Sequence, residues 1–244
     1  ETAEISLENF ISTTNKQREI DNAKYEAQGE PDEVKDMITG GAVVAINVKT
    51  GEPLCIASAP TYNLSTLMED YSELLKDKTA PLYNRALNGT YAPGSTFKPV
   101  TAIAALDQNI ITTSRTIYCA GVFDKYEEYG YAPTCWIYPH GSHGDVNTAK
   151  AIEVSCSYYF YTVGDLLGID KLSEYALRFG LGVTTGIELN DSAGIMATQK
   201  YKEETTDTPW YNGDTLQAAI GQSFSVFTPL QLANYMATLA NNGM

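Results

Sequence analysis

The run Tyr91-Ala92-Pro93-Gly94-Ser95-Thr96-Phe97-Lys98-Pro99-Val100 constrains this chain more than any other stretch. Pro93-Gly94 marks a turn, and Ser95 is a favourable helix N-cap residue. Behind it Val100, Ile103, Ala104 and Leu106 recur in an alanine-rich segment reaching Asp107, which predicts a buried helix. Pro99 falls in the first turn, where a missing N–H breaks no intrahelical bond. Ser95 and Lys98 then stand at i and i+3, with hydroxyl and amine on one face. A serine becomes a nucleophile only when a base takes its proton, and a desolvated lysine is such a base. The helix start adds free N–H groups and a positive dipole beside Ser95, where an oxyanion would form.

Ser-x-x-Lys alone is a common pattern, and an N-cap serine followed by a solvated lysine spells the same letters. The longer string, Tyr-x-Pro-Gly-Ser-Thr-Phe-Lys-Pro opening an alanine-rich helix, resembles the nucleophile motif of penicillin-binding proteins. The resemblance is strongest to the monofunctional class B transpeptidases, whose other two motifs are Ser-x-Asn and Lys-Thr-Gly. Ser155-Cys156-Ser157 stands where that family places Ser-x-Asn, after a short helix over Thr148–Val154 and before the aromatic run Tyr158-Tyr159-Phe160-Tyr161. Ser157 replaces the usual asparagine and has no amide to offer a substrate. Lys49-Thr50-Gly51 spells the third motif, but it lies upstream of the nucleophile between two apolar runs and reads as a hairpin turn. Gly213-Asp214-Thr215, Ile220-Gly221-Gln222 and Thr228-Pro229-Leu230-Gln231 follow in the family's order, so the resemblance covers residues 41–244. Tyr211-Asn212-Gly213-Asp214-Thr215 suggests the elongation type. The strand bearing the catalytic Lys-Thr-Gly is expected some tens of residues beyond residue 244. The expectation is therefore of a domain incomplete at its C-terminus and poorly active alone, accompanied by a C-terminal fragment or by further residues.

Composition sets the outer bounds. A chain of 244 residues with 43% hydrophobic and 19% charged residues suits one or two globular domains. A formal charge of −14 with no basic stripe argues against nucleic acid as a partner. No apolar run is long enough to span a bilayer, and the N-terminus lacks a signal peptide's pattern. Gly-x-Ser-x-Gly is absent, because Gly221-Gln222-Ser223-Phe224 runs into Ser225, which disfavours an α/β-hydrolase.

In chain order, residues 1–40 read as a linker and helical lead-in, with helical stretches near Ser6–Ile11 and Lys16–Gln28 before Glu30-Pro31-Asp32. Residues 41–244 read as the main domain. Ala42–Val48 and Leu54–Pro60 form a hairpin around the Lys49 turn. A short helix is expected at Leu74–Asp77, an irregular segment over residues 116–147, and one helix over Asp165–Phe179. A last helix opens at Thr228 with Pro229 in first position.

The resemblance implies an α+β fold: a five-stranded antiparallel sheet sandwiched by helices, beside a mainly helical subdomain. It implies acyl transfer, with Ser95 attacking the bond between the terminal D-alanines of a peptidoglycan stem peptide and handing the acyl group to an amine on a neighbouring stem. Lys98 would be the base, Ser155 a proton relay and Ser157 a substrate contact. β-Lactams would acylate Ser95. The implied location is the bacterial membrane, with the catalytic domain extracytoplasmic and an anchor upstream of residue 1. Two other classes share these letters: a serine β-lactamase and a non-catalytic β-lactam sensor or scaffold.

Catalysis of this kind needs no cofactor. Four soft or borderline ligands, Cys119, Cys135, His143 and Cys156, nevertheless fall within 38 residues. A Cys3His set suits a structural tetrahedral zinc, and some elongation-type relatives resemble this arrangement. The rival is a Cys119–Cys135 disulfide, whose loop of about 15 residues would stabilise by roughly 3 kcal/mol. Free buried thiols, with His140 or His143 satisfied by hydrogen bonds, are the third reading.

Overall fold

The computed structural model describes residues 1–243 and divides into two compact units. Unit 1 holds residues 1–90, 185–192 and 228–243; unit 2 holds 91–184 and 193–227.

Unit 1 is built on a hairpin. Strand β1 (Gly41–Ile46) pairs antiparallel with β2 (Pro53–Ala59), Gly41 opposite Ala59 and Ala45 opposite Cys55. The Lys49-Thr50-Gly51 triplet is its exposed turn. Gly51, at φ +75°, donates its N–H to Asn47 O at 2.8 Å, and the Asn47 side chain accepts from Lys49 N. The turn reading of that triplet holds. Helix α1 (Thr2–Gln28) is one continuous helix where two stretches were expected. No proline or glycine interrupts it before Gly29, which ends it in a left-handed cap at φ +73°. It buries no residue fully but packs on the hairpin, with the Leu7 side chain against Gly41. The Asn15 and Asn22 side chains each exchange a pair of hydrogen bonds with the backbone, at Ile38 and Lys35. Helix α2 (Leu67–Leu74) precedes the expected Leu74–Asp77, because Thr66 starts it and Lys76-Asp77 already belong to the turn that closes it.

Unit 2 carries the chemistry-bearing residues. Gly94–Phe97 is a turn of 3-10 helix leading directly into α3 (Lys98–Asp107). Residues 116–147 are not wholly irregular: β3 (Ile117–Cys119) pairs antiparallel with β4 (Gly144–Val146). Helices α4 (Thr148–Glu153) and α5 (Ser157–Leu167) follow. The helix expected over Asp165–Phe179 breaks at Gly168, whose φ of +78° only glycine adopts freely, and α6 (Ile169–Arg178) starts anew. Helix α7 (Gln199–Thr205), unread in the sequence, is capped by Thr198. Helix α8 (Asn212–Ala219) completes unit 2, and α9 (Pro229–Ala240) returns the chain to unit 1 behind a Thr228–Gln231 capping box.

The mixture of antiparallel strands and helices agrees with the α+β expectation. The core of unit 2 gathers Ala102 and Ala105 of α3, Tyr159, Phe160 and Val163 of α5, and Leu216 of α8, together with the sulfurs of Cys119, Cys135 and Cys156. Helix α5 sits at its centre, packed on both α3 and α8. Gly164 makes the second contact possible: a Cβ there would lie 2.2 Å from Ala219 Cβ. No helix among the described residues is long and apolar enough to cross a membrane.

Candidate active site

Ser95 does not serve as the N-cap its sequence suggested. The 3-10 turn has no side-chain cap bond, and Ser95 Oγ instead accepts from Ser155 Oγ at 2.9 Å. A capping hydroxyl is committed to a backbone amide, whereas this one remains free to react. In a 3-10 helix residues i and i+3 eclipse, so Ser95 and Lys98 still share a side.

The turn is seated on Gly221. The Gly94 N–H donates to Gly221 O at 2.8 Å, and a Cβ on Gly221 would stand 2.1 Å from Gly94 O and 2.7 Å from Phe97 Cβ. Gly221 also sits at φ +76°. Two constraints therefore converge on glycine at 221, against the residue that precedes Ser95. In sequence, Ile220-Gly221-Gln222 is legible as a string but not as the support of this turn.

Lys98 is 2% exposed. Its Nζ donates to Ser155 O at 2.7 Å and to Ser155 Oγ at 2.9 Å, stands 3.4 Å from Ser157 Oγ, and lies 5.7 Å from the Phe160 ring centre. Burial lowers its pKa from 10.5 to about 8, against a smaller upward pull from Cys135 and Cys156. Desolvation penalises the ammonium, which prepares the amine to act as a base near neutral pH.

Ser155 links the two. It stands between α4 and α5 at φ +52°, a conformation that costs a non-glycine residue about 1–3 kcal/mol. Neighbouring bonds hold it there: Ser155 N–H to Ile152 O, Cys156 N–H to Ala151 O, and the grip of Lys98 on its carbonyl. Ser157 opens α5 and is buried, its hydroxyl turned to Lys98. All four residues named from the sequence thus meet, and Ser95–Ser155–Lys98 form one hydrogen-bonded chain. Among the described residues, Lys98 reaches Ser95 through Ser155 rather than directly. Such a chain can carry a serine proton to a buried amine, which is the first requirement of acyl transfer.

The second cluster adjoins it. The sulfurs of Cys119, Cys135 and Cys156 and a ring nitrogen of His143 lie within 4.8 Å of one another. His143 Nδ1 is 3.7 Å from Cys119 Sγ and 3.5 Å from Cys135 Sγ. A tetrahedron with arms of about 2.0–2.3 Å has edges of roughly 3.3–3.8 Å, which the two His143–sulfur separations match, and the set as a whole lies within 4.8 Å. All three cysteines are fully buried, and His143 Nε2 is buried without a hydrogen-bond partner among the described residues. The cysteines are free, so the Cys119–Cys135 disulfide is not formed. A thiol hydrogen bond between Cys156 and Cys135 pushes the Cys135 pKa down to about 4 and Cys156 up. His140 stays out of the cluster. Cys156 is also the N-cap of α5, its sulfur accepting from Tyr159 N, and it follows Ser155 directly.

A helix start presenting a serine, a buried lysine and a bridging second serine on an α+β scaffold is an arrangement that suits serine acyl transfer. Residues 41–244 match the family described as penicillin-binding protein transpeptidase domain, and the chain belongs to that family. Peptidoglycan D,D-transpeptidase MrdA of Haemophilus influenzae is 36% identical over 228 residues, 86% of this chain and 33% of that protein. The chain thus spans about a third of the length of the curated relatives it matches. Among solved structures, Pseudomonas aeruginosa PBP2 in complex with WCK 5153 superposes with a TM-score of 0.77 at 36% identity, covering 84% of this chain and 47% of that one. The imipenem acyl-enzyme of penicillin-binding protein A from Mycobacterium tuberculosis gives a TM-score of 0.70 at 28% identity over 83% of this chain and 46% of that one.

Proposed function

We propose that this chain carries the acylating half of a peptidoglycan D,D-transpeptidase of the extracytoplasmic face of a bacterial membrane, and that β-lactams acylate it at Ser95. The observation that carries this reading is the Ser95–Ser155–Lys98 chain, with both hydroxyl links at 2.9 Å. With Lys98 protonated, hydrogens point from the ammonium through Ser155 toward Ser95. With Lys98 neutral, the same atoms pass a proton the other way. Ser95 Oγ then forms a bond to the carbonyl carbon between the two terminal D-alanines. Its proton goes to Ser155, and the Ser155 proton goes to Lys98. As the tetrahedral intermediate collapses the peptide bond breaks, and Lys98 returns the proton through Ser155 to the departing D-alanine amine. An amine of a second stem peptide repeats the sequence in reverse and releases Ser95. Amides at the start of a helical turn lack intrahelical acceptors, which frees the Ser95 N–H to face the oxyanion. Ser157, turned toward Lys98, helps hold that amine in line.

Cys119, Cys135, His143 and Cys156 are proposed to hold one structural zinc. Four protein ligands leave no open position for a reacting group. The ion would fix Cys156, and with it the backbone that presents Ser155.

Incubation with a labelled penicillin, followed by intact-mass measurement, tests the assignment. A stable adduct of one penicillin per chain, lost in Ser95→Ala, is expected. Rapid turnover would make the protein a β-lactamase, and an adduct surviving Ser95→Ala would move the nucleophile elsewhere.

A further inference from the structure

Ser155 stands at φ +52°, and its φ and ψ are set by the two rigid peptide planes that flank its Cα. Those planes carry four polar groups, and each has a partner. The Ser155 N–H donates to Ile152 O at 3.1 Å and the Cys156 N–H to Ala151 O at 2.8 Å, both at the end of α4. Ser155 O accepts from Lys98 Nζ. The fourth group, Val154 O, accepts from Nε1 of Trp136 at 3.0 Å. Three of these bonds are made by the helix end and by the buried lysine. The remaining one comes from a side chain eighteen residues upstream, in the long connection before β4.

Trp136 is placed to make that bond and little else. It follows the buried Cys135, yet it is 62% exposed. Its root is fixed, because the Cys135 N–H donates to Gly121 O at 2.7 Å. Its ring meets the His143 ring edge to face, with centroids 5.4 Å apart. A large exposed ring often marks a surface that meets a ligand. Here the one polar group of the indole is instead committed to the backbone beside Ser155. Val154 is half-buried, so water could satisfy its carbonyl equally well. What a fixed indole adds, and water does not, is direction.

We propose that Trp136 is a positioning residue for the proton relay: through Val154 O it fixes the peptide plane that sets φ of Ser155, and so the place of the Ser155 hydroxyl between Lys98 and Ser95. The inference rests on the acyl-transfer reading of the site. A non-glycine residue at positive φ keeps that conformation only while its surroundings over-determine it. Both hydroxyl links are 2.9 Å long, so a small rotation of the plane takes Ser155 Oγ out of reach of one partner or the other. In this role Trp136 touches none of the reacting atoms. It acts on the rate of proton transfer and not on the affinity for the β-lactam.

Penicillin acylation followed over a range of concentrations separates the dissociation constant of the initial complex from the acylation rate constant. Trp136→Phe keeps a ring against His143 and removes the N–H. The rate constant should fall about fivefold, the worth of one net hydrogen bond, with the dissociation constant unchanged. Benzothienylalanine at position 136 has the shape of tryptophan without its N–H, and it should reproduce the loss. In Ser155→Ala protein, whose slow acylation is followed by intact mass, Trp136→Phe should cost less than about twofold, because a residue acting through Ser155 has nothing left to position. A merely structural tryptophan would lower the Tm and leave the rate constant in place, so an unaltered rate constant in both altered proteins overturns the proposal. A loss that appears in the dissociation constant, or that persists undiminished in Ser155→Ala protein, overturns it as well and makes Trp136 a wall of the ligand site. Protein that forms no adduct even when unaltered would instead overturn the acyl-transfer reading, and this inference with it.

Discussion

In the proposed mechanism Lys98 is the group that makes the site depend on pH. Its amine is buried among hydroxyls and the Phe160 ring, and its pKa lies near 8 rather than 10.5. Acylation by penicillin should therefore rise with pH, reach half its maximum near pH 8 and level off above; a profile flat from pH 6 to 9 would exclude Lys98 as the base. The same shift has a stability consequence of definite sign. Between the folded value of about 8 and the ordinary 10.5, the unfolded chain binds the extra proton, so this residue's contribution to stability improves as pH rises through that window. In the proposed mechanism Ser155 links base and nucleophile through its bonds to Lys98 and Ser95. Ser155→Ala should slow acylation by about 10²–10⁴, the usual worth of a positioned proton-transfer group. Ser157→Ala removes only a 3.4 Å contact and should cost markedly less in the same assay. Equal losses would make the two serines equivalent and remove the relay role from Ser155.

Among the elements, α5 is the one on which the others depend. Its first turn presents Ser157 and the Cys156 cap, its middle supplies Phe160 beside Lys98, and Gly164 admits α8. Gly164→Ala places a methyl 2.2 Å from Ala219 Cβ in a packed core, so the helices must part. A loss of about 1–3 kcal/mol is expected, overpacking outweighing the gain in helix propensity, and thermal unfolding will show it as a lowered Tm. An unchanged or raised Tm would mean that α5 and α8 are less closely packed than described. Gly221 is a second such contact, placed so that any side chain presses on the nucleophile turn itself.

For the molecule as a whole, the cysteine cluster joins parts of the chain that secondary structure alone leaves loosely tied. Cys119 ends β3, Cys135 lies in the long connection, His143 precedes β4 and Cys156 caps α5. Protein purified without chelator should contain one zinc per chain. Its removal should lower the Tm and make the three buried thiols reactive toward a thiol reagent. Metal-free protein with unreactive thiols would leave the cluster an ordinary part of the core.

The sequence by itself determined the local content of this site. The Ser95–Lys98 spacing, the Ser155-Cys156-Ser157 triplet after its short helix, the hairpin turn at Lys49-Thr50-Gly51 and the four metal-type ligands are all legible because each is a short pattern or a turn chemistry. Tertiary structure decided what those patterns do. Ser95 reads as an N-cap, yet its hydroxyl is claimed by a serine sixty residues away, and the choice between a disulfide and a four-ligand cluster turns on where β3, β4 and α5 converge. The break at Gly168, the support given by Gly221 and the indole bond from Trp136 to Val154 depend likewise on close approaches between segments far apart in the chain. Local spacing specifies which groups can share one turn of helix. Only packing fixes which distant groups come within hydrogen-bond reach, and how far burial shifts their chemistry.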